Sequence, residues 1–166
     1  LDIVPSQVAA KVIPSVVCIQ NYQQSQSQLP FAQTLSGEEQ LTLAAEGSGI
    51  VYTEDGYIIT NAHVVENSSL LKVVLNNEEV YEAKLIGSDA DTDLALLKIE
   101  ATGLTPIEIG DYDALAVGDF VMAVGNPGGM EFSSSVTFGI VSAKDRPMDI
   151  DGGYTMNTIQ TDAAIN

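Results

Sequence analysis

Apolar positions recur along this chain first with a helical period and then with the period of a strand, and the change outlines the architecture. Val4, Val8, Ala9 and Val12 fall at helical spacing, Pro5 occupies a tolerated first-turn position, and Pro14 stops the run. A short N-terminal helix over residues 4–13 is predicted. Ser15 to Gln20 is rich in β-branched residues and reads as a strand. The polar stretch from Asn21 to Glu46, containing Gln23-Gln24-Ser25-Gln26-Ser27-Gln28, reads as a surface excursion, because a loop that long is uncommon inside a compact domain.

From there the chain becomes a succession of short strands separated by turn chemistry. Gly49 to Thr53 and Tyr57 to Thr60 flank the hairpin signal Asp55-Gly56, and Leu70 to Leu75 and Glu78 to Ile86 flank Asn76-Asn77. Strands are also predicted at Leu94 to Ile99, Phe120 to Val124, Ser134 to Ala143 and Tyr154 to Thr161. Strands this closely spaced, with no regular helices between them, predict an all-β antiparallel sandwich or barrel. A turn-rich segment from Ile107 to Val117, with Gly110 and Asp111, is placed to join two subdomains.

Composition narrows the function. The 166 residues are 45% hydrophobic and read as one globular unit, with no apolar run long enough to cross a bilayer. Against 6 basic residues stand 23 acidic ones, a net charge of −17 that repels phosphate backbones and argues against nucleic-acid binding. Such a surface favours solubility more than it specifies a basic partner. The one cysteine, Cys18, lies in an apolar strand, so it forms no internal disulfide and reads as a small core residue. Leu1-Asp2-Ile3-Val4-Pro5 has neither a basic leader nor an apolar signal segment, so a targeting region is expected to be removed or to lie outside this stretch.

His63, the only histidine, follows Gly56-Tyr57-Ile58-Ile59-Thr60-Asn61-Ala62. An imidazole fixed near the end of a strand suits general-base work, and the small residues Asn61 and Ala62 leave the ring room to face a cleft; the bland alternative is a structural histidine. Asp93 opens the apolar run Leu94-Ala95-Leu96-Leu97-Lys98-Ile99, so its carboxylate is expected to turn toward the barrel interior and to need a partner there. An imidazole N–H would supply it; alternatively Asp93 only shapes the turn Gly87-Ser88-Asp89-Ala90-Asp91-Thr92-Asp93. Asp89, Asp91, Asp93 and Glu100 also fall at positions one, three, five and twelve of a calcium loop, but the sixth position needs glycine and holds Leu94. Ser48, in Glu46-Gly47-Ser48-Gly49-Ile50, lacks the context of a nucleophile elbow, and Ser133, Ser134, Ser135 and Ser142 lie in or beside a strand without such a turn. Gly125-Asn126-Pro127-Gly128-Gly129 lacks the lysine and helix of a phosphate loop and reads as a turn. A base and an orienting carboxylate are thus legible, and a nucleophile is not.

Gly47-Ser48-Gly49-Ile50-Val51, Thr60-Asn61-Ala62-His63-Val64-Val65, Asp93-Leu94-Ala95-Leu96-Leu97-Lys98-Ile99, Gly125-Asn126-Pro127, Gly139-Ile140-Val141-Ser142-Ala143 and Ile159-Gln160-Thr161-Asp162-Ala163-Ala164-Ile165-Asn166 together resemble the HtrA/Deg serine protease family. The match in order and spacing runs from about Val8 to the last residue. The resemblance implies a chymotrypsin-like double β-barrel with the catalytic triad in the cleft between barrels. Residues 1–105 would form the N-terminal helix and first barrel, and residues 106–166 a second barrel left incomplete. It puts His63 at the general-base position and Asp93 at the orienting carboxylate. The nucleophilic serine is expected a few residues beyond Asn166, so residues 1–166 alone should be inert. Ala163, Ala164 and Ile165 approach the primary specificity pocket, where small apolar walls suit aliphatic side chains, and Asp145 to Met156 matches a regulatory loop. The resemblance further implies an extracytoplasmic quality-control endopeptidase acting on unfolded polypeptides, a homotrimer through the protease domain, and a following PDZ domain that is not expected within residues 1–166. No cofactor or metal is expected. The alternative is an inactive protease-like domain that binds unfolded polypeptide.

Overall fold

Pro5 opens helix α1 (Pro5–Val12), and a 3-10 turn over Ile13–Ser15, with Pro14 inside it, ends the helix. The computed structural model describes residues 4–25, 40–125, 134–150 and 154–165. Six strands follow in the first part of the chain: β1 (Val16–Gln24), β2 (Leu41–Val51), β3 (Tyr57–Thr60), β4 (Leu70–Val74), β5 (Val80–Asp89) and β6 (Leu94–Ile99). A four-residue helix, α2 (Ala62–Val65), separates β3 from β4. The six strands close into a barrel in the order β1-β2-β3-β6-β5-β4, every pairing antiparallel.

The period-2 pattern explains which side chains fill it. Ala95, Leu97 and Ile99 of β6 point inward and are buried, as are Ile58 of β3, Val51 of β2 and Leu71 and Val73 of β4. Val17 and Ile19 join them from β1, and Val64 and Val65 from α2. Removing this apolar surface from water is the main force holding the barrel together. Val16 and Cys18, on the alternate face of β1, are buried as well, and burial together with the negative charge of Glu46 pushes the Cys18 thiol up to about 11. Cys18 is therefore an unreactive core residue.

Strands β7 (Phe120–Gly125), β8 (Ser135–Ile150) and β9 (Tyr154–Thr161) form a three-stranded antiparallel sheet, β7-β8-β9. Phe120 and Phe138 stack on that sheet with ring centroids 5.2 Å apart, Phe120 largely and Phe138 about half exposed. A short helix, a closed barrel and a partial second sheet make up a chymotrypsin-like all-β architecture.

Several boundaries differ from the sequence expectation for physical reasons. The excursion expected from Asn21 to Glu46 is strand at both ends, where Tyr22, Gln23 and Gln24 pair with Leu43, Thr42 and Leu41. Backbone bonds hold these strand ends together, and Gln24, Leu41, Thr42 and Leu43 are exposed, so burial leaves no alternating trace there. Residues 26–39, like the turn at 126–129 and Ser133, lie outside the described residues. The loop expected from Asp145 to Met156 is strand over 145–150 and 154–156. A left-handed Asp145 (φ 53°) and register shifts after Val141 and Ala143 let β8 bend and continue, which a segment as polar as Lys144-Asp145-Arg146-Pro147 disguises.

Candidate active site

His63 lies just past the end of β3, near the strand end where the sequence placed it, and there the chain forms α2. A four-residue helix cannot satisfy its own terminal groups, so its amides and carbonyls must find partners elsewhere. Asp93 meets the amide end. Its main-chain oxygen accepts from Ala62 N–H at 3.1 Å and from the Asn61 side-chain amide at 3.0 Å, and its Oδ1 accepts from His63 N–H at 2.9 Å. Asp93 Oδ2 then lies 2.7 Å from His63 Nδ1. One residue, thirty positions away in sequence, thereby fixes both the turn and the ring it carries.

Asp93 reaches this position through a left-handed backbone, φ 53°, at the end of a tight turn. Asp89 builds that turn, its two carboxylate oxygens accepting from Asp91 N–H at 3.0 Å and Thr92 Oγ1 at 2.9 Å. The turn chemistry weighed against a pairing role thus coexists with it. The Asp93 carboxylate does not enter the barrel: its side chain remains 32% exposed, while Ala95 is the first β6 residue to point inward. Partial desolvation pushes its carboxyl up, but the His63 amide, ring and charge and the Ala62 amide outweigh this and hold it below the ordinary 3.8.

With Nδ1 donating to the carboxylate, the lone pair of the ring sits on Nε2, and the ring is 69% exposed. This arrangement can accept a proton at Nε2 and stabilise the resulting cation through Asp93.

Gly47 admits the turn to the barrel. A Cβ there would stand 2.7 Å from Val64 Cγ2, next to His63 in sequence. Gly47→Ala is therefore expected to displace α2 and lower stability by about 1–3 kcal/mol. A thermal melt matching that of the parent would show that Val64 can move aside.

The remaining candidate residues lie elsewhere. Ala163 is buried, and Ala164 and Ile165 are exposed, Ile165 by 73%. Their segment is tied to β8: Thr137 Oγ1 donates to the Ala164 carbonyl at 2.6 Å, and Ile140 N–H to Asp162 Oδ1 at 2.7 Å. Among the serines, the Ser48 carbonyl accepts from Thr60 Oγ1 at 2.8 Å, and Ser134 Oγ donates to Asn76 Oδ1 at 3.2 Å. An open, mostly apolar groove runs past Ser48, Thr60, Asn61, Leu94 and Val124, beside the His63 turn.

Sequence reasoning missed Asn21, assigned to the polar excursion. It is buried in β1 with its side-chain amide on the carbonyls of Val64 and Glu66. Extending the period-2 run Val17, Ile19 by one more step places it inside, and that was the available signal.

A closed antiparallel barrel and a second partial sheet, with an imidazole beside a carboxylate, are the architecture and side-chain pair of a trypsin-like peptidase domain. The comparisons agree, since a family model described as "Trypsin-like peptidase domain" matches residues 47–166. "Serine protease Do-like HtrB" of Bacillus subtilis is 43% identical over 160 residues, covering 92% of this chain and 34% of that protein. "Serine endoprotease DegS" of Haemophilus influenzae is 39% identical over 166 residues, 99% of this chain and 46% of the relative. "Probable periplasmic serine endoprotease DegP-like" of Marinomonas is 44% identical over 139 residues, 84% and 29% respectively. The chain belongs to the HtrA/Deg family of trypsin-like serine proteases. It spans less than half the length of each of these relatives.

Proposed function

We propose that this chain supplies the base and orienting carboxylate of a serine endopeptidase that degrades unfolded or misfolded polypeptides outside the cytoplasm. The observation that carries the proposal is the 2.7 Å contact between His63 Nδ1 and Asp93 Oδ2. Residues 1–105 and 106–166 are its two barrel portions, and the nucleophilic serine lies beyond Asn166. His63 Nε2 takes the serine proton as the hydroxyl attacks the scissile carbonyl, then gives that proton to the leaving amine. Asp93 stays ionised throughout, holding the ring in the productive tautomer and balancing the imidazolium. Assembly into homotrimers and a following PDZ domain belong to the same proposal. The extracytoplasmic setting is supported by the Marinomonas relative, whose name describes it as periplasmic.

The test is labelling of the full-length protein by an active-site serine probe, repeated on His63→Ala. Labelling is expected in the parent and should fall sharply in the variant. A parent that takes no label but still binds unfolded polypeptide would replace the protease with a binding domain.

Ala163, Ala164 and Ile165 are the proposed approach to the primary specificity pocket, which small apolar walls would fit to aliphatic side chains. Cleavage is expected after Val, Ala or Ile in unfolded substrates, as read by mass spectrometry of the products. Equal cutting after Lys or Arg would remove these residues from the pocket.

A further inference from the structure

Asp93 secures only the amide end of the turn that carries His63; the carbonyl end is secured from the opposite side of the barrel by Asn21. Asn21 is 1% exposed and sits in β1 between partners Ala45 of β2 and Leu71 of β4, next to a register shift in the β1–β2 ladder. Its Nδ2 donates at 2.9 Å to the Val64 carbonyl and at 2.8 Å to the Glu66 carbonyl. Val64 is the residue after His63, and Glu66 is the extended cap (φ −61°, ψ 139°) at which α2 ends. Both carbonyls belong to the group that so short a helix leaves without internal partners. The two hydrogens of one side-chain amide meet both of them.

We infer that Asn21 is a positioning residue for His63. The turn is clamped at its amides by Asp93 and at its carbonyls by Asn21, so its rotation about its own axis, and with it the direction of the imidazole, is set from both sides. Only the donor half of the Asn21 amide is engaged, since its Oδ1 has no partner among the described residues. A carboxylate in its place would set acceptor against acceptor, and an apolar side chain would leave the Val64 carbonyl unpaired and the Glu66 carbonyl with Gln23 alone. Gln23 also reaches the Glu66 carbonyl, at 3.1 Å, but from the exposed side and in addition to Asn21. It provides the control.

The inference rests on the proposed role of His63 as the base, and the experiment separates the two. In the full-length protein, Asn21→Leu, Asn21→Ser and Gln23→Ala are compared by thermal melting, by kcat and KM, and by the low-field proton signal of the His63 Nδ1–H. That signal is assigned by its loss in His63→Gln. Asn21→Leu is expected to broaden or abolish the signal and to lower kcat by about 10- to 100-fold with KM within about twofold. Asn21→Ser, which keeps one donor, should fall between it and the parent, and Gln23→Ala should match the parent. If Asn21→Leu does not fold, Asn21→Ser decides alone. Folded Asn21 variants that retain both the signal and kcat overturn the inference. A parent without serine-probe labelling, whose His63 signal nevertheless disappears in Asn21→Leu, would leave the positioning role standing and remove the protease proposal.

Discussion

Asp93→Asn, introduced into the protein that carries the nucleophilic serine, is expected to lower kcat by about four orders of magnitude, the loss that the same exchange produces in a serine-protease triad. Geometry is not the reason. Asparagine accepts the left-handed backbone that residue 93 adopts (φ 53°), and it can still accept from the His63 amide. Its Nδ2, however, would face His63 Nδ1 where a carboxylate oxygen now stands at 2.7 Å. Two donors cannot share that contact, so the ring would take the tautomer with its lone pair on Nδ1, and Nε2 would no longer accept the serine proton. A kcat within about tenfold of the parent would remove Asp93 from the proposed triad.

The same substitution has a signature in stability. The Asp93 carboxyl is held below the ordinary 3.8, so the folded state binds its proton less readily than the unfolded chain does. The stabilisation is complete above that ordinary value and is lost as pH falls through the lower folded value. The stability gap between parent and Asp93→Asn should accordingly be greatest near neutrality and shrink in acid. Denaturant titrations at several pH values read it directly, and a gap that widens on acidification would reverse the assigned direction.

Much of the fold was legible because burial leaves a trace in residue type. Val17, Ile19, Ile58, Leu97 and Ile99 alternate as barrel strands must, Asp55-Gly56 announces its hairpin, and Pro5 and Pro14 bracket the helix. His63 and Asp93 were legible as chemistry because each is an ionisable group set beside an apolar strand. What sequence could not convey was held by backbone bonds or by single polar contacts over long separations. The strand stretches 23–24 and 144–146 carry polar side chains, so no hydrophobic alternation marks them. The α2 turn is too short for a helical period, and its caps come from Asp93 and Asn21, neither adjacent in sequence. The carboxylate was expected inside the barrel because its downstream neighbours are apolar; the turn at Asp89–Asp93 instead delivers it to the rim.

Leu97→Ala should lower stability by about 2–5 kcal/mol, a large share of the roughly 5–15 kcal/mol that holds a domain folded. Leu97 is fully buried at the middle of β6, its register partners being Ile58 of β3 and Leu85 of β5. Truncation removes apolar surface and leaves a cavity that the closed ladder on both sides of β6 cannot collapse to fill. The melting temperature should drop by roughly 10 °C. Its effect on turnover should differ from that of Asp93→Asn. Asp93 is set by the Asp89 turn and its contacts with α2, and these do not involve the Leu97 side chain. At a temperature where the variant remains folded, kcat should stay within about threefold of the parent. A much larger loss in folded protein would mean that the packing inside β6, and not the turn before it, holds the carboxylate against His63.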